Sequence, residues 1–443
     1  MSEPVGSSGL PDTICPMPWT NLSIDVDGSS RPCCKFAHLE PESPYQMANL
    51  ADAGIDDVWN SEAMAQLRTD FRKGDQPADC RTCWDEESAG IRSWRQDFLT
   101  DRSITGAIDY DDVRPAAPVA LDLKLTNACN LKCRICGPVA SSLWLHEQLK
   151  VATAGEAAEL RANRTRYLSN KITQDDANLA TFRSWIPHLQ HIEMTGGEPM
   201  FSLENREVIE LIVAEGAADQ VSLLLTTNAM VIDDRIMRAL PAFADVSIAM
   251  SVDDMGPRLE YERAPAEWAT VVANMDTYAA GASATQHRHT NCSVSNLNAW
   301  YLPDFIRWHV DRYPTDQVGL HLNLVHNARC FNVQVMPESL KDSTCARLQV
   351  VVDDLSLPAY IRGQVAGLIG FVNDAPPDPD AWQELLATLD ERDAIRDESF
   401  AATFPELAAE IDRLGLGGRA GPGISELVVP APLRRLGRRL LHR

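Results

Sequence analysis

Three cysteines, Cys129, Cys133 and Cys136, stand in the run Leu125-Thr-Asn-Ala-Cys129-Asn-Leu-Lys-Cys133-Arg-Ile-Cys136-Gly-Pro138. The C-x3-C-x2-C spacing puts three thiols in one loop, directly after the strand-like stretch Val119–Leu125. Three thiolates can hold a 4Fe–4S cube and leave its fourth iron open. An open iron can bind a small molecule and pass it one electron, which a cube closed by four cysteines does poorly. Cysteines two to four residues apart also make structural zinc sites with four closed ligands, so spacing alone leaves both metals open. A second run, His191-Ile-Glu-Met-Thr-Gly196-Gly197-Glu198-Pro199, reads as a strand ending in two glycines and an acid. Glycines there let backbone come close to a ligand, and the carboxylate can accept hydrogen bonds from a ligand ammonium.

Another cysteine set lies upstream. Cys15 precedes Asn21–Gly28, which alternates apolar and polar residues and ends in an Asp-Gly turn. Arg31-Pro-Cys33-Cys34-Lys-Phe36 opens the returning strand, Asn60-Ser61 caps a helix through Arg72, and Cys80-Arg-Thr-Cys83 follows. Cys15, Cys33 or its neighbour Cys34, Cys80 and Cys83 make a four-thiol set. A closed set of that kind suits a 4Fe–4S cluster or a zinc ion.

The elements that must position these residues form an alternating series. Strand-like runs fall at Val119–Leu125, Gln190–Met194, Val221–Thr226, Val246–Val252, His289–Val294 and Val318–Val325. Helix-like stretches at Ser202–Glu215, Asp233–Leu240, Ala266–Tyr278 and Leu302–Tyr313 separate them, the pattern of parallel βα units. The stretch 140–187, also helix-like, is inserted after the first strand. Polar residues close the later strands, Thr227 and Asn228 and then Ser251 and Asp253, and Glu260-Tyr-Glu-Arg263 follows the second of these. Residues after about 340 are helix-like and punctuated by Asp374-Ala-Pro-Pro-Asp-Pro-Asp380.

The cysteine triplet and Gly196-Gly-Glu198, set at successive strand ends, resemble the motifs of the radical S-adenosylmethionine (SAM) superfamily. Cys15, Gly28-x4-Cys33 and Cys80-x2-Cys83 resemble its twitch module, a shortened relative of the SPASM auxiliary-cluster domain, here placed before the barrel. The resemblance implies an α/β fold: a partial (β/α)6 barrel over 106–340, an auxiliary domain over 1–105 and a mainly helical C-terminal region over 341–443. It implies a 4Fe–4S cluster on Cys129, Cys133 and Cys136, with SAM on its open iron. An auxiliary 4Fe–4S cluster would sit on Cys15, Cys33, Cys80 and Cys83. Gly196, Gly197 and Glu198 would receive the SAM amino group, Asn228, Ser251 and Asp253 its other polar atoms, and Arg263 its carboxylate. The chain departs from the family at Ile135, where an aromatic is common, and at Asp254, where glycine is.

At 443 residues the chain can form two or three domains. A formal charge of −23 argues against general affinity for nucleic acid or anionic membranes. Eleven cysteines without a signal-like N-terminus point to metal or redox work in the cytoplasm. Arg434, Arg435, Arg438, Arg439 and Arg443 form a basic tail. The expected activity is reductive SAM cleavage and hydrogen abstraction, fed by a one-electron donor such as flavodoxin or ferredoxin. Oxidation or epimerisation of a sugar-like metabolite is the first choice of reaction, with peptide maturation second. The reading from another class is a non-catalytic iron–sulfur or zinc scaffold. Cys330, close after the last strand run, is the expected hydrogen donor, while Cys292 and Cys345 have no expected role.

Overall fold

The computed structural model describes residues 9–36, 43–88, 92–100, 108–163, 172–326 and 328–417. The basic tail lies outside the described residues. All six expected strands form: β3 (Ala120–Leu123), β4 (His191–Met194), β5 (Ser222–Thr227), β6 (Asp245–Ser251), β7 (Gln286–Val294) and β8 (Gly319–Leu324). Two more precede them, β1 (Asn21–Ile24) and β2 (Ser30–Arg31), in a sheet of order β2-β1-β3-β4-β5-β6-β7-β8. β1 and β2 are the expected antiparallel hairpin, turned at Gly28 with φ +79°. β1 also runs parallel to β3, so the hairpin extends the βα sheet. Every residue of β1 is buried, as suits a strand covered on both faces.

The chain divides into two compact units, 1–132 with 136–250 and 270–289, and 133–135 with 251–269 and 290–443. In the first unit the register sorts the sheet into two faces. Leu22, Leu121, Ile192 and Leu223 pair side by side on one face and are fully buried. The next residues along, Ser23, Asp122, Glu193, Leu224 and Ser247, pair across the other face. The Ser247 hydroxyl lies 3.2 Å from His289 Nδ1, which carries this polar row onto β7. Because strand side chains alternate with period two, one sequence of strands yields an apolar face for the helices and a polar face opposite. The helices start where their caps predict: Ser202 accepts from Asn205 N, and Asp233 from Arg235 N and Ile236 N.

The second unit contains β8 and the C-terminal helices Glu338–Asp353, Ala359–Asn373, Pro379–Arg396, Phe400–Thr403 and Pro405–Arg413. Leu348, Ile361, Val365, Trp382 and Leu385 are among their buried residues. The Asp/Pro run at 374–380 is the connection into the helix Pro379–Arg396, the longest among the described residues. There Asp378 caps by accepting from Ala381 N at 3.1 Å, and Pro379 occupies the first turn, where its missing N–H is harmless. Among the described residues no helix is long and apolar enough to cross a membrane.

Candidate functional site

The four upstream thiols line one cavity in the first unit. Cys15 precedes the short helix Met17–Thr20, Cys33 follows β2, Cys80 ends a 3-10 turn and Cys83 sits in the helix Arg81–Ser88. Phe36, Phe71, Trp84 and Trp94 line it as well, with Met17, Lys35 and Arg95. Helix Glu62–Lys73 presents Phe71 to this cavity, and its buried Arg68 donates to the carbonyls of Pro18, Trp59 and Val113. Arg95 donates to the carbonyls of Asp12 and Ile14, beside Cys15, and pairs with Glu87 at 2.6 Å.

Burial first, and then the neighbouring thiols, push these groups up: Cys33 to about 12, Cys15 and Cys80 further still. Burial also raises Cys83. Four thiols in one dry pocket shed their protons together only when positive ions replace them, and this donor set fits an iron–sulfur cluster. The same geometry separates Cys33 from Cys34. Cys33 lines the cavity, whereas Cys34 is exposed, and Asp122 and Glu193 add to burial in raising its thiol. Among the described residues no three His, Cys, Asp or Glu side chains converge as ligands of a single metal ion.

The downstream triplet is arranged differently. Cys129 and Cys136 belong to the first unit and Cys133 to the second. In the first unit, Asn127 donates to the Pro138 carbonyl at 2.7 Å and ties the two ends of the cysteine loop together. Gly197 has φ +56°, and a Cβ there would lie 2.4 Å from the Ala128 carbonyl oxygen and 2.9 Å from that of Thr126. The sequence suggests that these glycines make room for a ligand. In the structure the room is filled by the backbone leading into Cys129, which also accepts from Glu198 N at 2.9 Å. Gly197 seats the cysteine loop, whereas a Cβ at Gly196 would meet the Lys124 side chain at 2.7 Å.

The Glu198 carboxylate, 1% exposed, accepts from Thr227 Oγ1 at 2.7 Å, Asn228 N at 2.6 Å and Met200 N at 3.0 Å. These three donors fix the orientation of the carboxylate beside the cysteine loop. Asn228 donates to Asn130 Oδ1 at 2.8 Å, and its amide lies 3.9 Å from Cys129 Sγ. Gly197, Glu198 and Asn228 are thus brought onto one end of the cysteine loop.

In the second unit Arg263 donates through Nε to Asp253 Oδ2 at 2.6 Å and reaches Cys133 Sγ with Nη1 at 3.9 Å. Asp253 also accepts from Ser293 N at 2.7 Å. Asp254, at the position where the family favours glycine, is fully buried, pairs with Arg258 at 2.6 Å and accepts from Met255 N. Its partner Arg258 stands in the helix Gly256–Glu262. Ser251 ends β6 and is half-buried. Cys292 donates to the Asp253 carbonyl at 3.3 Å. Cys330 lies buried in the turn Arg329–Phe331, its carbonyl accepting from Asn296 Nδ2 at 2.7 Å. Burial and Glu384 push its thiol up to about 12.

Sequence reasoning placed Thr227 at a strand end without its role in orienting Glu198, and missed Asn130, the partner of Asn228. It also missed Arg134, whose position between two motif cysteines was the available signal.

Residues 15–84 match the SPASM family, described as an iron–sulfur cluster-binding domain. No curated protein matches the chain. Solved structures similar to it include anSMEcpe with bound AdoMet, at 14% identity over 56% of this chain and 62% of that one, with a TM-score of 0.35. Streptococcus suis SuiB bound to precursor peptide SuiA is another, at 11% identity over 63% and 59%, with a TM-score of 0.33. The chain spans about three fifths of the length of these structures. The SPASM match begins at Cys15 and ends just past Cys83, so it takes in all four cysteines of the upstream cavity.

Proposed function

We propose that this chain is a radical SAM enzyme. Cys129, Cys133 and Cys136 would hold a 4Fe–4S cluster with an open iron, and Cys15, Cys33, Cys80 and Cys83 an auxiliary cluster. The observation that carries the reading is the contrast in donor sets. A four-thiol cavity lies within a match to a cluster-binding domain, while a separate three-thiol loop is seated by Gly197 beside the oriented carboxylate of Glu198. When bound, the open cluster and SAM supply a 5′-deoxyadenosyl radical that removes hydrogen from a substrate carbon.

The protein's part is positioning. Glu198, with Gly196 and Gly197, would receive the SAM amino group, while Asn228, Ser251 and Asp253 would serve its other polar atoms. Arg263 faces the SAM carboxylate from beside Cys133. A one-electron donor protein such as flavodoxin or ferredoxin feeds the site. For the substrate we favour a hydroxylated, sugar-like metabolite that is oxidised or epimerised. Support comes from the polar row Ser23, Asp122, Glu193, Ser247 and His289 on one sheet face, which offers hydrogen-bonding groups to hydroxyls. Cys330, kept protonated by burial, is the hydrogen donor for an epimerisation.

The test is anaerobic turnover with SAM, a strong reductant and deuterated candidate substrates. Deuterium recovered in 5′-deoxyadenosine from a polyol or sugar is the expected result. Deuterium from peptides alone would overturn the metabolite assignment. An iron-replete protein that binds SAM but forms no 5′-deoxyadenosine with any of them would overturn the enzymatic reading.

A further inference from the structure

Arg134 lies inside the cysteine triplet, next to Cys133, and is 3% exposed. Its backbone N–H donates to the Glu262 carbonyl at 2.7 Å and its Nε to the Tyr261 carbonyl at 3.0 Å. The guanidinium stacks 3.5 Å from the centre of the Tyr261 ring. Its Nη2 donates to Asp393 at 2.8 Å and to Glu398, two acids far downstream in the C-terminal region. Tyr261 closes the figure by donating to the same Asp393 oxygen at 2.7 Å, and the other Asp393 oxygen accepts from Phe400 N at 2.6 Å.

The unit boundaries agree with this. Residues 133–135 cluster with the C-terminal region, although Lys132 and Cys136 on either side belong to the first unit. A buried arginine held by two carboxylates, two carbonyls and an aromatic face has little freedom, because its charge is compensated only by keeping to these partners.

We infer that the C-terminal helices lock the central cysteine of the triplet through Arg134, which makes Arg134, Asp393 and Glu398 positioning residues for Cys133. The same lock fixes the end of the helix Gly256–Glu262, and with it Arg263, which reaches Cys133 Sγ. The value of the lock for catalysis rests on Cys133 being a cluster ligand, as proposed above; the lock itself does not. A lysine at 134 would keep the charge but lose the fork and the stacked plane.

The test uses the full chain, reduced and free of iron, as the parent protein, the Asp393→Asn/Glu398→Gln double variant and Arg134→Lys. Amide hydrogen exchange over 131–136 and the alkylation rate of Cys133 are expected to rise about tenfold or more in both variants, while the helix Leu203–Ala214 stays protected. After iron reconstitution, the electron paramagnetic resonance g-values of the loop cluster are expected to shift in the variants. Unchanged exchange over 131–136, with loosening confined to 379–404, would overturn the lock and leave the proposed function standing. A loosened loop in the variants, with no cluster taken up on these cysteines by the parent protein, would sustain the lock and sink that function.

Discussion

The two cysteine regions solve different problems. Upstream, four thiols line a single cavity walled by aromatics in one unit. Downstream, three thiols share one loop whose outer members belong to one unit and whose central member belongs to the other. A closed set leaves iron no position for a ligand and suits a structural or electron-relay centre. An open set, as proposed here for the triplet, needs its surroundings to orient what binds there; in one unit Glu198 and Asn228 stand beside the loop at Cys129, and in the other Arg263 stands beside Cys133. The number of thiols is less informative than what stands beside them.

The largest effects should come from the cysteines themselves. Cys80→Ala/Cys83→Ala is expected to lose about four irons per chain and retain SAM cleavage, whereas Cys129→Ala should lose about four and abolish it. Iron and sulfide assays beside product analysis check this. Equal loss of cleavage in both would erase the distinction drawn between the regions.

Next comes the seat of the loop. Gly197→Ala forces a Cβ against the Ala128 and Thr126 carbonyls at φ +56°, and should destabilise by about 3–4 kcal/mol in denaturant titrations. Gly216, at φ +72° with nothing within 4 Å of where a Cβ would stand, supplies the control: Gly216→Ala carries only the backbone strain, about 1 kcal/mol. Equal effects would mean that contact with the cysteine loop adds nothing.

The polar row gives a pH test of somewhat smaller size. Burial, then Asp122, raises the Glu193 carboxyl from 4.5 to about 7. Between those values the folded protein holds a proton that the unfolded chain has released. The stabilisation is therefore complete below about pH 4.5 and is lost as pH rises through about 7. Glu193→Gln should flatten this slope and leave the variant more stable than the parent above pH 8 by up to about 3 kcal/mol. Parallel stability–pH curves for the two proteins would contradict the burial of that face. Smallest of all, Cys34→Ser should leave iron content unchanged and stability within about 0.5 kcal/mol, while Cys33→Ser loses the auxiliary iron. A reversed outcome would exchange the two in the ligand set.

Much of this was legible in the sequence because strands and caps are local. The six βα strands, the hairpin at Gly28 and the Ser61 cap follow from periodicity and turn chemistry. So does the four-cysteine set, over which the cluster-binding domain match runs. The parallel pairing of β1 with β3 was not legible, since pairing across the long separation between them leaves no mark on either strand. Nor was the true neighbour of Gly197. A glycine pair signals close approach without saying whether ligand or backbone approaches, and here it is Ala128 and Thr126. Arg134 was visible as a charge within the motif, but Asp393 and Glu398 lie among many acids in a chain of charge −23, and only the fold selects them.

The most direct test is 5′-deoxyadenosine release from SAM by the anaerobically reconstituted protein under strong reduction, measured beside Cys133→Ala. The account predicts release by the parent and none by the variant, with the auxiliary iron still present in both. Equal release by the two proteins, or iron-replete parent protein that binds SAM and leaves it intact with every substrate offered, would contradict it.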